Sequence, residues 1–398
     1  MTVGTDERYV VISADCHAGG SMETYGEYLE ERYRDQFTEW RGAYRNPFRD
    51  LQSKGRERNW DSDMRIRELE ADGQVAEVIF PNTVPPFFPT GALVARPPTA
   101  EDLELRWAGL RAHNRWLADW CRDESWRRAG IAQVFLNDVD AAVKEAEWVA
   151  TSGLTGGILI PAIPDDCDIE PLYSAVYDPL WAVCQEHGLV VNCHSGSGQP
   201  DYGDHPASTL IWAVETAWMA HRPLWQMILG GVFERFPDLT FVLSEQGCAW
   251  VPSTLASLDM LAMSARMGRT GELKIDGDAL PLSPSEYFQR NVWIGASFPQ
   301  LKDAAAMKKI GLHKVMWGSD YPHHEGVSPY TREHLRRSFH DWSTDDLDQV
   351  LTTTACDVYG FDADRLAARA VEVGPTVAEV AEPLDKIPAG ATSPAFYL

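Results

Sequence analysis

Basic residues are scarce in this chain: 35 Lys and Arg stand against 59 Asp and Glu in 398 residues, a formal net charge of −24. Nucleic acids and anionic membranes attract basic stripes, so a surface of this sign repels both, and neither is expected as a partner. Long apolar runs are missing too. None reaches the roughly 18 residues of a membrane span, and the opening MTVGTDERYVVISADCH has no basic segment leading into an apolar one and a cleavage site. CxxC pairing is absent, and seven scattered cysteines do not make a disulfide framework. Reduced thiols and a cytoplasmic location are therefore expected. No internal repeat and no low-complexity linker divides the chain.

What is present is an alternation. Eight short apolar runs rich in β-branched residues, at 10–16, 75–81, 131–136, 157–161, 189–194, 240–245, 292–296 and 315–320, read as strands buried on both faces. Helical patterns lie between them, for example 141–151 and 173–187, the latter stopping before Gly188. Eight such units predict a (β/α)₈ barrel, with a doubly wound open sheet as runner-up. The whole chain, 1–398, reads as one domain of this kind.

Two stretches depart from a plain barrel. Segment 18–73 mixes charge with Tyr25, Tyr28, Trp40, Tyr44, Phe48 and Trp60, and reads as an insertion or lid over the barrel mouth. The tail from 361 to 398 reads as a C-terminal arm that packs on the barrel or on a second subunit. After the second strand, the Pro-Phe loop at 83–89 either walls an apolar pocket or packs on the insertion.

Chemistry concentrates at strand ends. Asp15 and His17 are one residue apart in the first strand, so both side chains project to one face while Cys16 takes the other. His194 ends the fifth strand and Asp320 ends the eighth, at the barrel end where catalytic residues gather. Two imidazoles and two carboxylates converging there call for a cation, since an unpaired buried carboxylate costs several kcal/mol. Mixed N and O donors suit Zn²⁺, Mn²⁺ or Fe²⁺. Glu245, ending the sixth strand, stands open as a ligand, as a base, as the group orienting a histidine, or as half of a structural ion pair. His221, His323 and His324 are possible helpers, while His113, His187, His205 and His313 are assigned no chemistry.

At these residues the chain resembles the amidohydrolase superfamily, in the branch that includes aminocarboxymuconate-semialdehyde decarboxylase-like enzymes. The resemblance is carried by IleSerAlaAspCysHis around Asp15, the His194 strand, GlyValPheGluArgPheProAspLeu at 231–239, GluGlnGlyCysAlaTrpValPro at 245–252 and TrpGlySerAspTyrProHis at 317–323. It implies a distorted TIM barrel, a catalytic divalent metal, and Asp320 as ligand and proton acceptor. The chain departs from the family pattern where Asp15 replaces the first His of an H-x-H and where Glu245 stands at a position that often holds His. The fourth strand lacks the Lys or Glu that bridges two metals, so a mononuclear site is expected.

The leading expectation is a hydrolase that uses a metal-activated water on an amide, ester or thioester of a bulky apolar small molecule, with Asp320 and Glu245 as catalytic residues. The alternatives are nonoxidative decarboxylation of an aromatic or unsaturated acid, its carboxylate held by a cation such as Arg65, Arg222 or Arg290, and a non-catalytic binding barrel. A homodimer is possible.

Overall fold

A computed structural model describes residues 7–45, 55–272 and 280–397 of the chain. Phe48 and the rest of 46–54 within the expected insertion lie outside the described residues.

Nine strands occupy the eight positions of a distorted TIM barrel: β1 (Ile12–Ala18), β2 (Ala76–Pro81), β3 (Arg128–Gly130), β4 (Ala132–Gln133), β5 (Ile158–Leu159), β6 (Val191–His194), β7 (Phe241–Ser244), β8 (Val292–Ser297) and β9 (Val315–Gly318). All pairings are parallel, in the order β1-β2-β3 and β4-β5-β6-β7-β8-β9. The two sheets meet at β3 and β4, which are one strand interrupted at Ile131, its first half pairing with β2 and its second with β5. Closure comes from β1 and the end of β9, where Cys16 pairs with Tyr321, His17 N donates to Tyr321 O (2.7 Å) and Asp320 N donates to Asp15 O (2.8 Å). The strands are almost wholly buried, which is why they read as continuous apolar runs rather than alternating ones.

Helices follow the strands as capping chemistry requires. The insertion supplies α1 (Met22–Tyr28), α2 (Arg34–Ala43) and α3 (Ser62–Ala71), and the barrel is wrapped by α4 (Leu103–Arg122), α5 (Val139–Ser152), α6 (Asp178–Glu186), α7 (Ser208–Leu229), α8 (Val232–Arg235), α9 (Val251–Arg266), α10 (Pro284–Asn291) and α11 (Leu301–Ile310). For α5, Asp138 accepts from Ala141 N at 3.0 Å, and Gly153 ends the helix at φ +87°, a conformation that favours glycine.

The Pro-Phe loop packs on the insertion. Phe87 meets Phe37 and Trp40 at centroid distances of 6.1 and 5.7 Å, and the loop lies so close to α4 that a Cβ on Gly109 would sit 1.9 Å from Pro86 O. The tail differs from the expected extended arm, because 363–373 is a helix that buries Leu366 and Ala370, and beyond Gly374 a further short helix at 377–380 precedes the irregular end of the chain. That part is fixed to the start of the chain, with Tyr9 N donating to Pro375 O (3.0 Å) and Val377 N to Glu7 O (2.9 Å).

Candidate active site

Alternation along β1 puts Asp15 and His17 inside the barrel at 0 % exposure, while Cys16 turns outward beside Leu69 and Tyr321. His194, at 2 %, arrives from the end of β6, and Asp320, at 0 %, from the residues just after β9. The four expected ligands thus meet. His17 Nε2 lies 3.2 Å from Asp15 Oδ1 and 3.1 Å from Asp320 Oδ1, and His194 Nε2 lies 3.4 Å from Asp15 Oδ1.

The outer nitrogens fix which atoms face inward. His17 Nδ1 lies 3.4 Å from Pro81 O and His194 Nδ1 lies 2.9 Å from Ser195 O, so each Nδ1 is engaged by a carbonyl and each Nε2 faces the carboxylates. Two imidazole nitrogens and two carboxylates this close need protons or a cation between them. His17 Nε2 and Asp320 Oδ2 are buried without a hydrogen-bond partner. On that ground the donor set fits a divalent cation of the Zn²⁺, Mn²⁺ or Fe²⁺ class, and donor atoms of Asp15, His17 and His194 lie within 4.8 Å of one another.

Electrostatics follow from burial and from these neighbours. Burial alone would raise Asp15, but the charges of His194 and His17 outweigh it and hold the carboxyl below its ordinary range. Asp320 is likewise lowered, burial being overcome by His323 and His17. Glu245 behaves oppositely: burial, with the nearby charges of Asp320 and Asp15, lifts it to about 7 against the pull of His194. Burial would lower His194, yet Glu245 and Asp15 raise it to about 9.

Glu245 stands 3.2 Å from His194 Nδ1 and accepts a hydrogen bond from Ser195 Oγ, and Ser297 Oγ donates to Asp15 Oδ2. His323 sits between two acceptors, Nδ1 at 2.8 Å from Asp320 Oδ1 and Nε2 at 3.1 Å from Asn82 Oδ1, so both nitrogens donate and the ring is an imidazolium. Three residues bordering the site, Glu245 (φ 58°), Phe298 (φ 35°) and Asp320 (φ 60°), adopt the left-handed backbone that non-glycine residues avoid.

A cavity of about 550 Å³ opens above, lined among others by Arg56, Arg58, Trp212, Glu245, Phe298 and His323. His324 also lines it, whereas His221 stacks on Trp250 at 3.7 Å and does not. The arginines expected to face substrate are elsewhere. Arg65 is wholly buried against Glu77 (2.6 Å), Arg222 pairs with Asp165 (2.6 Å), and Arg290 bonds Asn291 (2.9 Å). Arg56 and Arg58 escaped the sequence reading because only the return of the insertion through Gly55 brings them to the mouth. Ser297 and Ser195 left a fainter signal, as hydroxyls at or just after strand ends.

Comparison with known proteins decides the family. The amidohydrolase profile matches residues 60–361, about three quarters of the chain. The chain belongs to the amidohydrolase family. A curated relative, 2-amino-3-carboxymuconate-6-semialdehyde decarboxylase of Dictyostelium discoideum, is 24 % identical over 311 residues, covering 77 % of this chain and 78 % of that one. Among solved structures, the 5-carboxyvanillate decarboxylase of Sphingomonas paucimobilis superposes with a TM-score of 0.64 at 22 % identity, covering 89 % of this chain and 100 % of that one. The enzyme of the same name from Novosphingobium aromaticivorans, in complex with manganese and 4-hydroxy-3-methoxy-5-nitrobenzoic acid, gives 0.65 at 20 % identity, covering 90 % and 100 %.

The family assignment makes the chain an enzyme of the amidohydrolase superfamily. The expected hydrolysis of an amide, ester or thioester is corrected, because all three of these relatives are decarboxylases by name.

Proposed function

We propose that the chain is a metal-dependent, nonoxidative decarboxylase of an aromatic or unsaturated acid, the reading held second on sequence alone. The observation that carries it is the Asp320–His323 pair, of which His323 lines a cavity shared with Trp212 and Phe298 and made cationic at Arg56 and Arg58. Asp15, His17, His194 and Asp320 would hold a divalent cation, and manganese in a relative makes Mn²⁺ the first to try. Such an ion, when bound, supplies a positive charge that draws electron density from the substrate's anionic oxygens.

Loss of carbon dioxide leaves an electron pair on carbon, so the enzyme must exclude water and deliver one proton there. His323, doubly donating, holds that proton against Asp320, which passes it to the carbon. Glu245 fixes the ring of His194. Arg56 and Arg58 hold the substrate's anionic groups, and Trp212 and Phe298 flank its apolar body.

The whole chain acts as one barrel domain, with 18–73 forming part of the cavity wall. We keep with this reading the possible homodimer, for which the outer face of α7 offers a surface. Manganese-loaded protein is expected to release one CO₂ per substrate consumed from a panel of aromatic acids. Asp320→Asn should slow release by about 10²–10⁴-fold, the usual worth of a positioned proton donor. A loaded wild type that releases none from any acid would sink the proposal.

A further inference from the structure

Asn82 and Asn59 border the same cavity as His323, and hydrogen bonds join the three in one line. His323 Nε2 lies 3.1 Å from Asn82 Oδ1, Asn82 Nδ2 donates to Asn59 Oδ1 at 2.7 Å, and Asn59 Nδ2 donates to Arg56 O at 2.8 Å. Backbone bonds seat both amides at or just past the end of β1. Asn82 N donates to Ala18 O at 2.9 Å, and Asn59 O accepts from Gly19 N at 3.2 Å.

The line has a direction. A carbonyl only accepts, so Arg56 O requires the NH₂ end of Asn59, which turns Asn59 Oδ1 toward Asn82. That oxygen requires the NH₂ end of Asn82, and Asn82 Oδ1 is left to face His323. Turning one amide over would set oxygen against oxygen and N–H against N–H. Asn59 is only 4 % exposed, so water does not stand in for the lost partners. His323 thus meets an acceptor on each side, Asp320 Oδ1 at 2.8 Å and Asn82 Oδ1. A half turn of its ring would put C–H groups at both oxygens. The anchor of the line is Arg56, one of the two cations proposed to hold the substrate's anionic groups.

We propose that Asn82 and Asn59 are positioning residues for proton delivery, which hold His323 against Asp320 and tie its orientation to the seating of the insertion at Arg56. The inference rests on the decarboxylase reading. The two asparagines exchange no proton. The carbon–carboxylate bond breaks, CO₂ leaves, and the electron pair takes a proton from Asp320. Asp320 recovers one from His323 and His323 one from solvent, so nothing is oxidised or reduced.

The test uses the near-equal size of Asn, Asp and Leu. Asp at position 82 still offers His323 an acceptor, whereas Leu fills the space and offers none. Manganese-loaded wild type, Asn82→Leu, Asn82→Asp, Asn59→Leu and the double Leu variant are compared in CO₂ release, and the first three are also crystallised. Expected for Asn82→Leu is a kcat lower by about 10²-fold, the worth of a misplaced reacting group, at unchanged KM and metal content. Asn82→Asp should recover most of that loss. The double variant should be no slower than Asn82→Leu, since one break already opens the line. In the crystals, the His323 ring should leave Asp320 in Asn82→Leu and stay in Asn82→Asp. Equal kcat losses for Leu and Asp, a raised KM at unchanged kcat, or an unmoved ring in Asn82→Leu would overturn the proposal. Asn59→Leu, with Asn82 turned over and kcat lowered at unchanged KM, carries the test if Asn82→Leu does not fold. Failure of the decarboxylase reading shows separately, as a wild type that releases no CO₂, and removes the role in proton delivery with it.

Discussion

Arg65 shows how one buried side chain holds several parts of the site at once. Its guanidinium donates to both oxygens of Glu77 at 2.6–3.0 Å, while Nη1 donates to His17 O at 2.8 Å and to Arg58 O at 3.1 Å. It therefore ties a ligand-bearing strand to the cationic wall of the cavity, a structural part in place of the substrate contact expected from sequence. Removing one partner of a buried pair leaves the other charge uncompensated, at a typical cost of about 3–5 kcal/mol. Arg65→Met should lose that much in urea unfolding, somewhat less because Arg128 also faces Glu77 (3.3 Å), and Arg65→Lys should recover only part.

His334 sets an acid limit on stability. It accepts from Trp317 Nε1 (3.3 Å) and donates to Pro299 O (2.8 Å), so one neutral tautomer satisfies both nitrogens, and burial lowers its pKa to about 4. Between that value and an unfolded pKa near 6.5 the unfolded chain binds more protons, so stability rises with pH in this window and is lost as pH falls below about 6.5. His113, buried and lowered to about 3, adds to the same slope. Unfolding free energy measured at pH 7.5 and 5 should drop by a few kcal/mol, and His334→Gln should flatten part of the fall; equal slopes would exclude His334 as a cause. Residues of this kind are only half legible in sequence. The alternation of Asp15 and His17 could be read because a strand has period two, but Asn82 beside His323 and Pro299 beside His334 come from segments far away in the chain.

At the level of elements, α7 stands out as a helix apolar on more than its buried side. Leu210 (72 %), Val214 (79 %) and Trp218 (53 %) form an exposed stripe, while Trp212, Ala213 and Thr216 line the cavity. Its two charged residues are already used, Glu215 by Tyr202 (2.6 Å) and Arg222 by Asp165 (2.6 Å). The neighbouring α9 exposes Met260, Met263 and Met267, with Asp259 engaged by Ser285 (2.6 Å). In a chain of net charge −24, a face without free charge is where a second copy can approach. The wild type is expected to sediment as a dimer at micromolar concentration and Val214→Glu as a monomer; a monomeric wild type would discard this. The strands were legible because burial on both faces leaves an apolar run, whereas the split of β3 from β4 at Ile131 depends on which neighbour each half pairs with. The helix at 363–373 is weakly marked in sequence, because only Leu366 and Ala370, four apart, form its buried side and Pro- and Ala-rich residues follow it.

For the whole molecule, the barrel and its closing seam agree with the amidohydrolase family, and Asp15, His17, His194 and Asp320 meet beside that seam. Among the described residues no helix is long and apolar enough to cross a membrane, and all seven cysteines are unpaired. The reaction was the least legible part, since the same residues could serve hydrolysis and decarboxylation, and it is the named relatives that speak against hydrolysis. Glu245, Asp320 and Phe298 also carry the left-handed backbone found at the ends of their strands. Each such residue costs on the order of 1–3 kcal/mol, which glycine would relieve at once. A laboratory lineage bred for heat tolerance alone would thus be drawn to replace Glu245 and Asp320 first, and would grow sturdier as it forgot its chemistry.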